Sequence, residues 1–154
     1  MTDAMNSGPA LRASGRADAA LLIDTACGRT AALGHNEVTT AHLLLALLDG
    51  FPAAADLLAE LGVRAADLES ALLAELAVHR WRPFPVPRGE FPPLGRTASE
   101  VCEEAAAGAS EQFPARLLAA VLHLDHQGPG RIALHTVGLT TRQVALALDT
   151  RLSA

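Results

Sequence analysis

Six histidines, two cysteines and a scatter of hydroxyls and carboxylates are the groups in this 154-residue sequence that could do chemistry. His35 and His42 could share a metal ion, but no Cys or carboxylate cluster completes a ligand set around them at a usual spacing. Read as structure, they tie a turn to the start of a helix. His123-Leu124-Asp125-His126 offers two imidazoles at i and i+3 with one carboxylate between them. Two or three ligands fall short of a closed metal site, and a histidine in a last helical turn suits the helix dipole without any metal. No metal and no cofactor is therefore expected. Ser99, Ser110, Cys27 and Cys102 are the available nucleophiles. None stands in a Gly-x-Ser-x-Gly elbow or a recognisable Cys/His signature, so catalysis is not expected. The two cysteines read as small buried thiols in a reducing cytoplasm.

Binding groups are denser than catalytic ones. Between His79 and Pro93 the chain places Pro83, Pro85, Pro87, Pro92 and Pro93, which no helix can run through. An extended strap is expected there. The strap carries Arg80, Trp81, Arg82, Phe84, Arg88 and Phe91, residue types enriched in binding hot spots. These six are the expected partner-binding residues. In the alternative reading, Trp81 and Phe84 plug the groove between two repeats.

Composition excludes several classes. The sequence has twelve basic residues, all Arg, so a phosphate-binding loop with its Lys is ruled out. A formal net charge of -5 argues against a nucleic-acid binder, because neutralising phosphates needs a basic face. The longest apolar run, Leu43 to Leu48, is far short of the roughly 20 residues that span a bilayer. The N-terminus lacks a secretion signal. A cytoplasmic protein of bacterial composition, without membrane or nucleic-acid partners, is expected.

The elements that would position these groups come in duplicate. Leu33-Gly34-His35-Asn36-Glu37-Val38-Thr39-Thr40-Ala41-His42 leads into six apolar residues and later Leu61-Gly62-Val63. The order returns with Gly108, Pro114-Ala115-Arg116 before a second apolar run, and Val137-Gly138-Leu139. Gly34 and Gly108 lie 74 residues apart, and Gly62 and Gly138 lie 76 apart. A duplicated unit strengthens each weak helix reading. Gly34 is a helix stop, Gly62 a left-handed cap, and Thr39 or Thr40 an N-cap. The expected fold is all-α, with about eight helices in two pseudo-symmetric four-helix repeats. Residues 1–14 form a tail. The single domain, 15–154, holds repeat one (15–78), the strap (79–93) and repeat two (94–154).

Leu-Gly-His, Val-Thr-Thr-Ala-His-Leu-Leu-Leu-Ala-Leu-Leu and Leu-Gly-Val resemble the Clp N-terminal domain, or Clp repeat. The resemblance covers about Ala17 to Leu152. It implies a paired four-helix module that binds adaptors and substrate proteins of Clp-type AAA+ unfoldases and carries no catalytic group. The ATPase part is missing from the sequence, so a free-standing modulator or decoy of Clp proteolysis is implied. The alternative is a sequestering protein for Clp-directed cyclic peptides or other small ligands. The resemblance makes Gly34, His35, Thr39, Thr40, His42, Gly62, Gly108, Arg116 and Gly138 structural residues of the motif. Members that read phosphoarginine carry a Glu between the Thr and the His. Ala41 and Ala115 stand there in this chain, and alanine cannot pair a guanidinium.

Overall fold

The computed structural model describes residues 14–78 and 92–153. Arg80, Trp81, Arg82, Phe84, Arg88 and Phe91 lie outside the described residues, as does the expected tail through Leu11, Arg12 and Ala13.

Among the described residues the chain forms eight α-helices in two sets of four. The first set is α1 (Gly15–Ala32), α2 (Thr40–Gly50), α3 (Pro52–Glu60) and α4 (Ala65–Val78). The second is α5 (Arg96–Ala106), α6 (Phe113–Leu124), α7 (Pro129–Thr136) and α8 (Thr141–Ser153), with a 3-10 turn at Ser110–Gln112 before α6.

Local chemistry sets most of these boundaries. Ser14 caps α1, its Oγ accepting the Arg16 N–H at 3.1 Å. Gly34, Gly62 and Gly138 all have positive φ, at 76°, 78° and 87°. Each ends a helix in the same way. The next residue's N–H reaches five positions back, as His35 to Thr30 O (3.0 Å), Val63 to Leu58 O (2.8 Å) and Leu139 to Leu134 O (2.9 Å). This is a Schellman closure, which a Cβ would strain. Gly108 differs from its sequence counterpart Gly34, because its φ is not positive. What needs glycine there is space. A Cβ on Gly108 would lie 2.5 Å from Cδ and Nε of Arg116.

The start of the second half departs from the reading of the sequence. α5 begins at Arg96 rather than Leu94, because Leu94 is held in a backbone bridge to Val38. Proline sets two of the other three starts, Pro114 sitting in the first turn of α6 and Pro129 in that of α7, where a missing N–H costs no helical bond.

α2 and α6 are the two central helices. Leu43, Leu44, Leu45 and Leu47 of α2 and Leu117, Leu118 and Val121 of α6 are all fully buried. Fully burying each such leucine contributes roughly 1.5–3 kcal/mol relative to exposure. α1 packs on α2, and α5 on α6; across the halves α2 meets α7, and α3 meets α6. Arg29 of α1 pairs with Asp49 of α2 at 2.9 Å and reaches Glu69 of α4 at 3.4 Å. Among the described residues no single helix is long and apolar enough to cross a membrane.

The halves are joined by a reciprocal pair of backbone bridges. The segment before α2 pairs with the segment before α5. There, Val38 N–H donates to Pro93 O and Gly95 N–H to Val38 O, both at 2.9 Å. The segment before α6 pairs with the start of α1, where Gly15 N–H donates to Gly108 O at 3.1 Å and Ser14 bridges Ala109.

Candidate functional site: the cleft between the repeats

At the first of these bridges the start of α2, the start of α5 and the corner between α6 and α7 converge. They enclose a cleft of about 250 Å³ lined by Glu37, Thr39, Thr40, Arg96, Asp125 and Pro129, among others.

Its back wall is a hydrogen-bond relay. Thr39 is the N-cap of α2, and its N–H donates to Nδ1 of His42 at 2.9 Å. An amide can only donate, so Nδ1 is the acceptor and the ring proton sits on Nε2. That proton faces Nδ1 of His35 at 2.8 Å. His42 thus takes the place usually held by Glu or Gln in a capping box. The ring is buried, and burial pushes it from 6.5 down to about 4, with His35 adding in the same direction. Burial lowers His35 as well. Both imidazoles are therefore neutral near pH 7, as the relay requires.

The floor is a buried polar contact across the chain. Thr40 Oγ1 donates to Asp125 Oδ2 at 2.5 Å and accepts the Gly130 N–H at 3.1 Å. The Arg131 N–H reaches the same Oδ2 at 3.3 Å, and Arg131 Nη1 donates to Leu122 O at 3.0 Å. Asp125 is only 5% exposed. Two glycines let its surroundings close in. A Cβ on Gly128 would collide with the Asp125 carboxylate, and one on Gly130 would lie 2.6 Å from Thr40 Oγ1.

Of the motif residues, the structure brings Thr39 and Thr40 into the cleft and places His42 and His35 behind them. Gly62 borders a wider groove elsewhere, and Arg116 lies over Gly108 with a buried Nε that has no hydrogen-bond partner among the described residues. Asp125 is the cleft residue the sequence reading passed over as a functional group. Cys27 and Cys102 are buried thiols, their pKa values raised, that of Cys102 to about 12, chiefly by burial. Among the described residues no group of three or more His, Cys, Asp or Glu is placed to hold a metal ion.

A paired four-helix architecture, an inter-repeat cleft and a neutral histidine relay at the head of α2 describe a helical repeat module. The family comparison agrees: residues 17–114, more than half of the chain, match the Clp repeat (R) N-terminal domain. The chain belongs to that family, whose domain serves Clp-related protein interaction rather than catalysis. No curated protein matches the chain.

Proposed function

We propose that this protein is a non-catalytic interaction module that modulates a Clp-type AAA+ unfoldase in the bacterial cytoplasm, or competes with it for adaptors and substrate proteins. Its membership of the Clp repeat family carries this reading. The open cleft between the repeats supplies a place where a partner could be read. In this proposal Arg80, Trp81, Arg82, Phe84, Arg88 and Phe91 add partner contacts. The test is a reconstituted degradation assay with purified Clp unfoldase and peptidase, titrated with this protein. A change in the rate of substrate loss, with direct binding to the unfoldase or its adaptor, supports the reading. Neither effect at a large excess of this protein overturns it.

A second reading, sequestration of cyclic peptides, draws on a wider groove of about 490 Å³ bordered by Gly62, Val63, Ser70, Ala71, Thr136 and Val137. A ligand that binds only the folded state raises Tm by linkage. No thermal shift with Clp-directed cyclic peptides in excess overturns this reading for those compounds.

A further inference from the structure

We draw no further inference here: the strongest candidate, the outward face of α8 around the exposed Leu146, is an unpartnered apolar patch among the described residues, and nothing in the structure shows what covers it.

Discussion

Phe51 and Asp125 hold the same place in the two repeats, 74 residues apart. Each caps the C-terminus of a central helix, its N–H bonded to the carbonyl four residues back, Leu47 at 3.1 Å and Val121 at 3.0 Å. Their partners have diverged. Phe51 packs on Phe113 with ring centroids 5.4 Å apart, while Asp125 takes the hydroxyl of Thr40. At the same offset Thr40 corresponds to Pro114, the neighbour of Phe113 in the first turn of α6. One inter-repeat seam is thus closed by aromatic packing and the other by a polar contact, which makes the two ends of the pseudo-symmetric molecule chemically different.

Thr40→Val keeps the shape of the side chain but leaves Asp125 Oδ2 with the Arg131 N–H alone and takes away the acceptor of the Gly130 N–H. An unsatisfied buried group costs about 1–3 kcal/mol, so urea denaturation should show a loss of that order. A double-mutant cycle with Asp125→Ala should return a coupling energy well above zero, since the two residues share one contact.

The relay makes stability depend on acid. His42 is depressed in the folded state, so the unfolded chain binds its proton first. The contribution is fully present above pH 6.5 and is lost as pH falls from 6.5 towards about 4. At 1.36 kcal/mol per unit, this amounts to roughly 3 kcal/mol. His42→Gln retains the Thr-x-x-Gln capping box and removes the titration. Its stability, followed by denaturant melts across that range, should fall less steeply than that of the parent. Equal slopes would show that other groups carry the acid sensitivity.

Gly15→Ala and Gly34→Ala separate crowding from conformational strain. A Cβ on Gly15 would meet the Gly108 and Ala106 carbonyl oxygens at 2.7 and 2.9 Å, so backbone must move. At Gly34 nothing lies within 4 Å and only the positive φ resists. Thermal melts should show a loss of about 1 kcal/mol at Gly34 and a larger one at Gly15.

Ala41→Glu should destabilise the protein rather than simply add a binding group. Ala41 is 0% exposed and Ala115 only 1%, so a glutamate at either place must bury its carboxylate or push the helix aside. A drop in Tm of several degrees is expected for either variant. An unchanged Tm would mean that the new side chain reaches solvent.

Arg116→Met tests the buried Nε. It has no hydrogen-bond partner among the described residues, and replacing it with an apolar group of similar length removes the cost of burying an unbonded polar atom. Tm should hold or rise. A clear fall would show that the stem over Gly108 matters more than the lost polar bond.

Much of the helical framework was legible because its signals are local. Gly34 announces a helix stop, Gly62 a left-handed cap with Gly138 as its repeat counterpart, and Thr39 or Thr40 the N-cap of α2. Leu68, Leu72 and Leu76 show the buried stripe of α4 at helical spacing. The cleft was only half legible. Thr39, Thr40 and His42 stand out through the repeat, but Asp125 meets Thr40 across 85 residues. No periodicity records such a contact, and the two flanking histidines drew the metal reading instead. Gly108 was matched to Gly34 by spacing, although one glycine serves crowding and the other serves φ.

The reciprocal bridges, Val38 with Leu94 and Ser14 with Ala109, have the logic of a two-fold dimer. The loop ahead of one half's central helix grips the entry of the other half's first helix, and the favour is returned. Isologous subunits meet in such a reciprocal way, although here one bridge is parallel and the other antiparallel, so the reciprocity is one of position and not of strand sense. Each repeat therefore behaves as a protomer whose obligatory mate is covalently attached, with local concentration replacing association. Because the mates are encoded separately, their two seams are free to drift apart in chemistry, a freedom denied to a true homodimer, where every substitution appears twice.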